Sequence, residues 1–302
     1  MDKTDISVII PVRDHVGNLR STINSILATA DFYPFSAEII IINDSGNPEI
    51  KSYVMGLKYK QVTFKCIDLT PSRGSYNARN KGIEKADGDY LIFFDVPLKL
   101  EPGWLDKIKK AFDEGYDYIA GNINVDQEDC NTLAKKMYSA TSFPVESYFK
   151  NQNFGPTAFL AVKKDIFDKT GLFDTVLSGG DMIFGRRVYR EGYRMKFLID
   201  AVAYHPPRNL KQQFWKKVRV YSGVYRLYLD NPEEQTSPVR FRSFFSCLTA
   251  IPANLIHYRR NKMYQSGLFT YSEYIIVVCM FWGVEFTSRL YLLLNKKKQL
   301  NT

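Results

Sequence analysis

The sequence predicts an α/β protein with a mostly parallel central sheet flanked by helices, followed by a helical extension that mixes basic and apolar residues. Three observations carry this. Short β-branched apolar runs recur through the first 125 residues, and most end in polar groups. Segments of helical period separate them, and strands alternating with helices of about ten residues form parallel sheets. The last third of the chain loses the alternation and becomes strongly basic.

The elements follow in order. "ISVIIPV" (6–12) is a buried strand, because a continuous apolar run suits a strand covered on both faces. Leu19, Ile23, Ile26 and Leu27 then fall on one helix face. "AEIIIIND" (37–44) and "VTFKCID" (62–68) give two more strands. "GSYNARNKGIEKA" (74–86) is helical, with Ala78, Ile83 and Ala86 inward. "DYLIFFD" (89–95) is a strand, "GWLDKIKKAFDEG" (103–115) a helix and "YDYIAGNI" (116–123) a strand. The pattern is less regular beyond. It suggests a strand at 156–164, a short helix at 165–170, a helix at 179–193 opened by Asp181, and an extended stretch at 194–205. A basic amphipathic helix spans 209–229, with Gly223 as a possible interruption.

Ligands of such sheets bind beyond the carboxyl ends of the strands. Pro11–Asp14, Asn43–Asp44 and Asp95 stand there, from three separate strands. Gly74 precedes a helix whose first turn exposes amides and a positive dipole end, which suits an anionic ligand. Arg73 and Arg79 add cations, and Asn77 and Asn80 add amide groups. A phosphate-bearing ligand fits this set. A solvated loop and helix, with the carboxylates as caps, is the alternative.

The chain has 302 residues and a net charge of +9. That length suits one large domain or a domain with an appendage. The charge is uneven: residues 1–207 carry 26 basic and 27 acidic side chains, and residues 208–302 carry 15 and 5. Basic segments find nucleic acid, anionic lipid or phosphorylated ligands. Here the cations are interleaved with Phe, Leu and Ile, so a membrane surface is expected and nucleic acid is not. "YIIVVCMFWGVEFTSRLYLLL" (274–294) contains Glu285 and Arg289, both expensive at bilayer depth. A helix lying in the interface or packed on protein, followed by "KKK" (296–298), is expected instead of a span. Cys66, Cys130, Cys247 and Cys279 have no short paired spacing, which fits a reduced cytosolic compartment. No signal-peptide pattern opens the sequence.

Four segments in order resemble glycosyltransferase family 2, the inverting nucleotide-sugar transferases of GT-A fold. They are "SVIIPVRD" (7–14), "EIIIINDSG" (38–46), "RGSYNARNKGIEKADGDYLIFFD" (73–95) and "GLFDTVLSGGDMIFGRRVYREGYRMKFLIDAVAYHPPR" (171–208). The resemblance covers roughly residues 5–230. It implies a Rossmann-like GT-A domain at 1–230, with a nucleotide-binding half at about 1–125 and an acceptor half at about 126–230. Residues 231–302 would form a helical extension that associates with a membrane or partner.

By the same resemblance, Pro11, Val12 and Asp14 line the nucleotide, and Asp44 accepts a hydrogen bond from base or ribose. Arg73 and Arg79 lie on the donor side, Arg79 against base or phosphate. Asp95 matches the first carboxylate of the family's Asp-any-Asp signature, where Mg²⁺ or Mn²⁺ is held. Pro97 stands where the second belongs, so metal dependence is doubtful. Lys99 would face the diphosphate instead, or is a solvated rim residue. Asp181 is the expected general base, or otherwise a helix cap. Gly180 replaces the acidic residue that normally precedes the base. His205 is a second metal or diphosphate candidate or a structural histidine, and Arg208 a nearby phosphate candidate. Trp104 is an acceptor-side aromatic or a packing one.

The implied activity is sugar transfer from a nucleotide-diphosphate donor, with uridine diphosphate expected, to a hydroxyl on a glycan or lipid-linked acceptor. The implied place is the inner face of the plasma membrane. The losses at Pro97 and Gly180 keep one alternative open, a binding or scaffold protein built on a decayed transferase fold.

Overall fold

The computed structural model describes residues 4–13, 15–230 and 270–294. Four strands open the fold: β1 (Ile6–Val12), β2 (Ala37–Asn43), β3 (Val62–Asp68) and β4 (Tyr90–Phe94). β1 pairs in parallel with both β2 and β4, and β2 with β3. Every residue of β2 is buried, as expected of a strand covered on both faces. The helices between them are α1 (Val16–Thr29), α2 (Pro48–Met55) and α3 (Ser75–Lys85). α1 buries Leu19, Ile23 and Ile26, at the expected helical spacing.

The later elements are β5 (Lys99–Leu100), α4 (Trp104–Asp113), β6 (Tyr118–Val125), α5 (Leu133–Thr141), α6 (Val145–Gln152) and β7 (Phe159–Lys163). They continue with α7 (Ile166–Thr170), α8 (Gly180–Arg190), β8 (Met195–His205), α9 (Leu210–Asp230) and α10 (Tyr271–Leu294). The sheet of the described residues has eight strands in the order β3-β2-β1-β4-β7-β6-β8-β5.

The parallel pattern stops at β4, short of what the strand–helix alternation predicts. β7 is antiparallel to β4, and β6 to β7. The reason is the direction of entry. Phe159 opens β7 opposite Phe94, the last residue of β4, so the chain joins the sheet at the carboxyl edge and runs back. Four elements were not expected: α2, α5, α6 and the two-residue β5.

By contacts the chain divides into two units. One runs to Asn124 and takes in Phe143–Thr175 and Gly180–His205; it holds the sheet. Its centre includes Val8, Ile10, Ile39, Ile41 and Ile92, each fully buried, and each such side chain contributes about 1.5–3 kcal/mol. An aromatic cluster ties β4 to α7 and α8. Phe93 meets Phe173 at 5.4 Å, Phe173 meets Phe184 at 4.6 Å, and Phe184 stacks on Phe167 at 4.8 Å.

The other unit holds Val125–Ser142, Val176–Gly179 and the described residues from Pro206 on. α9 therefore groups with α10 and not with the sheet, although both lie on different sides of the boundary expected at 230. Gln213 donates to the Ala134 carbonyl at 2.6 Å, and Tyr291 meets Trp215 edge-on at 5.5 Å. α9 runs through Gly223 without a break. A Cβ there would stand 2.8 Å from Ser178, so this glycine allows a close approach. Among the described residues no helix is long and apolar enough to cross a membrane. Most of the 231–302 extension, and the side chains of Glu285 and Arg289, lie outside the described residues.

Candidate active site

The carboxyl edge of β1, β2 and β4 collects the expected polar groups. Asp14 lies outside the described residues. Pro11 is half-buried and Val12 buried. The Val12 carbonyl accepts the Asp44 amide at 2.7 Å, which ties the ends of β1 and β2 together. The Asp44 carboxylate is 4% exposed. It accepts the Ser72 hydroxyl at 2.8 Å and the Arg73 amide at 3.3 Å. Asp44 therefore shapes the loop before α3, and the exposed Arg73 side chain extends from that loop.

α3 carries the next groups inward. Arg79 is 3% exposed and forms an ion pair with Asp95, which is 42% exposed. The guanidinium expected to touch base or phosphate is thus buried beneath Asp95, and the carboxylate keeps the open face. The Arg79 guanidinium also lies 5.4 Å from the centre of the Tyr76 ring. Asn80 is a clamp. It donates to the Phe173 carbonyl at 2.7 Å and accepts the Phe173 amide at 3.0 Å.

Tyr76 links this group to α8. Its hydroxyl donates to Oδ1 of Asp181 at 3.0 Å, and the Met182 amide donates to the same oxygen at 3.0 Å. Burial pushes the Asp181 carboxyl above the usual carboxylate range. The Tyr76 hydroxyl, Arg79 and the Met182 amide pull it back, and Asp95 adds to the rise. Burial also drives the Tyr76 phenol far above its ordinary value, so Tyr76 is a donor at every working pH. Gly180 lies under the same ring: a Cβ there would stand 3.0 Å from two Tyr76 ring carbons and 2.9 Å from the Asp174 carbonyl.

Three further expected residues have these surroundings. Trp104 is fully buried. Its indole N–H donates to Thr29 at 3.1 Å, and its ring packs on Phe94 at 5.1 Å and Phe159 at 6.0 Å. It fills the core and presents no face to an acceptor, which corrects the acceptor-side expectation. His205 is 7% exposed and packs against Phe143 at 5.2 Å. Lys99 is exposed and stands opposite Tyr204 in the pairing of β5 with β8.

Among the described residues no three His, Cys, Asp or Glu side chains gather as a metal would need. Asp95 already faces Arg79, and Pro97 offers no donor.

Sequence reasoning missed Tyr76, although it lies in the motif that fixed attention on Arg79 and Asn80. The signal was Gly180: a missing side chain in a packed site asks what fills the space.

The model for "Glycosyl transferase family 2" matches residues 7–171. The chain belongs to glycosyltransferase family 2. The glycosyltransferase AglE of Haloferax volcanii is 27% identical over 227 residues, 74% of each chain. The GalNAc(5)-diNAcBac-PP-undecaprenol beta-1,3-glucosyltransferase of Campylobacter jejuni is 25% identical over 191 residues, 62% of this chain and 60% of that one. Among solved structures, the mannosyltransferase PcManGT of Pyrobaculum calidifontis, in complex with GDP-Man and Mn²⁺, has a TM-score of 0.64 at 15% identity. The match covers 99% of this chain and 87% of that one. The family 2 chain therefore has the GT-A fold, with a mixed sheet. It is a glycosyltransferase.

Proposed function

We propose that this chain is an inverting transferase that moves a sugar from a nucleoside diphosphate donor, with uridine as the base, to an acceptor hydroxyl on a glycan or lipid-linked chain. One observation carries the reading. Asp95, Arg79, Tyr76 and Asp181 form an unbroken line of contacts at the carboxyl edge. The donor-side carboxylate and a second carboxylate from 86 positions later in the chain thus share one site.

The chemistry follows from that pairing. The acceptor oxygen attacks C1 of the sugar from the face opposite the diphosphate. The bond from C1 to the diphosphate oxygen breaks, and its electron pair leaves with the nucleotide. The acceptor proton passes to Asp181. A carboxyl held above the usual range by burial is a stronger base than one in water. Asp44 and the loop it anchors, with Pro11, Val12 and Arg73, form the nucleotide side; Asp14 belongs to it by sequence. Asp95 meets the ribose. Lys99 would add charge toward the diphosphate.

The Campylobacter relative, named for an undecaprenol-linked substrate, supports a lipid-linked acceptor. The excess of 15 basic over 5 acidic side chains in residues 208–302 supports contact with an anionic membrane. We place that contact at the inner face of the plasma membrane. Sedimentation of the full chain with anionic, but not neutral, vesicles is the expected result.

The mannosyltransferase neighbour is in complex with Mn²⁺, but among the described residues Asp95 has no second carboxylate beside it at position 97, where Pro97 stands. A divalent ion would have to take most of its ligands from the diphosphate, and no step above is routed through one. A binding or scaffold protein on a catalytically decayed transferase fold is the second reading, favoured by Pro97 and Gly180. A donor-hydrolysis panel of UDP- and GDP-sugars, run with EDTA and with Mn²⁺, tests all of this. Hydrolysis of one UDP-sugar supports the proposal. Calorimetric binding of UDP with no hydrolysis of any donor supports the scaffold, and hydrolysis of a GDP-sugar alone overturns the uridine assignment.

A further inference from the structure

Both described hydrogen bonds to Asp181 fall on one oxygen. Tyr76 and the Met182 amide reach Oδ1, each at 3.0 Å. Among the described residues none reaches Oδ2. The Tyr76 ring is itself fixed: it is 8% exposed and packs on Phe173 at 6.1 Å with Arg79 on its face. Phe173 in turn is held by Asn80, one turn further along α3 from Tyr76.

We propose that Tyr76 is the positioning residue of the base: its hydroxyl pins Oδ1 of Asp181 and so presents Oδ2 to the acceptor proton. This rests on the reading of Asp181 as the base. In the family pattern an acidic residue precedes the base, and here Gly180 replaces it. The geometry links the two facts. A side chain at 180 would press on the Tyr76 ring at 3.0 Å and on the Asp174 carbonyl at 2.9 Å. A side chain at 180 would therefore require the Tyr76 ring and the Asp174 backbone to give way, and glycine lets the ring sit close to the start of α8.

The pinning bond also acts on the charge of the base. A hydroxyl that donates to a carboxylate favours its ionised form, the form that can accept a proton. The other charged or titratable groups near Asp181 are Arg79 and Asp95 from the donor side and Tyr118 of β6. Asp174 is engaged by Arg187 at 2.9 Å. Tyr76→Phe removes the hydroxyl alone and leaves all of these, with the ring, in place.

The test is a ¹³C titration of aspartate carboxyls in the full-length chain, with the Asp181 signal assigned by its absence in Asp181→Asn. Tyr76→Phe is expected to raise the Asp181 midpoint by about one pH unit or more. The acid limb of turnover, measured with the nucleotide sugar hydrolysed in the panel, should move up equally, with kcat lowered and donor KM unchanged. Gly180→Ala, which displaces the ring, should move the midpoint in the same direction. An unchanged midpoint and acid limb in Tyr76→Phe overturn the proposal, since a packing role would leave both in place. If Asp181→Asn turns over donor at the full rate, the base assignment itself falls and the proposal with it. If Asp181→Asn is inactive and Tyr76→Phe titrates like the parent, only the positioning role falls.

Discussion

Arg79 and Asp95 form an ion pair of unequal burial: the guanidinium is 3% exposed and the carboxylate 42%. The cation holds the anion from below and leaves the anion an open face, which on the proposed reading is the one a donor meets. Asp95→Asn would leave a buried guanidinium without its counter-charge. Donor affinity should fall roughly tenfold to a hundredfold, the equivalent of one lost charge-assisted hydrogen bond. Thermal stability should fall less, because Asp95 is partly solvated. Calorimetry with UDP and a melting curve read the two effects separately.

Asp181→Asn should lower turnover about 10²-fold or more, the usual contribution of a general base, with donor binding kept. It should also melt higher at neutral pH. A carboxyl whose pKa is raised on folding favours the fold below its unfolded pKa, and loses that contribution as pH rises through the folded value. The ionised Asp181 is therefore a burden at neutral pH that Asn removes. The gap in Tm between variant and parent should close as pH falls below the ordinary carboxylate range. Calorimetric melts across pH check the sign.

Asp44→Ala removes the acceptor of Ser72 and of the Arg73 amide. The loop before α3 loses its anchor. Donor KM should rise about tenfold or more, with kcat changed less. Initial-rate kinetics over donor concentration separate the two.

Trp104→Ala should cost about 3–5 kcal/mol of stability, as for other large core aromatics. Turnover per folded molecule should be unchanged, because the ring lies among Phe94, Phe159 and Thr29. Urea unfolding gives the first number and rates corrected for folded fraction the second.

Glu38 is 1% exposed and accepts Ser7 at 2.6 Å and the Asp87 amide at 2.7 Å, with Lys65 at 2.5 Å. Ser7 and Glu38 lie toward the amino ends of β1 and β2, away from the site. Glu38→Ala should destabilise by roughly 2–3 kcal/mol, less than for a wholly buried pair because Lys65 is 34% exposed. Donor binding should be unaffected. The denaturation midpoint and a UDP isotherm form the check.

The opening strands were legible because runs such as "AEIIIIN" are short and rich in β-branched residues, which favours a buried strand over a buried helix. Their parallel pairing followed from the helices between them. The direction of β7 did not, because it depends on which edge the chain enters after α6, and no local pattern encodes that. α5 and α6 were missed for a related reason: each presents little buried surface, Met137 and Tyr138 in one and Val145 in the other. At the site, Asp44, Asp95 and Asp181 were readable as carboxylates at element ends. The burial of Arg79 and the Tyr76–Asp181 bond were not. The two residues of that bond are 105 positions apart, and a tyrosine in the first turn of a helix carries no sign of which segment it will face. Trp104 sits at an element end as Asp44, Asp95 and Asp181 do, and no local pattern shows that its ring turns into the core.

The Asp95 amide donates to the Ala158 carbonyl at 3.3 Å, one step beyond the last paired residues of β4 and β7. Asp95 is therefore a rung of the sheet in all but name, and not the tip of a loop. A ligand that meets it has little backbone entropy to remove there, since the sheet has already fixed those torsions during folding. On the proposed reading, selectivity among donors would come from groups that still have freedom to lose, such as the exposed Arg73 side chain, and changes there would retune preference without disturbing the sheet edge.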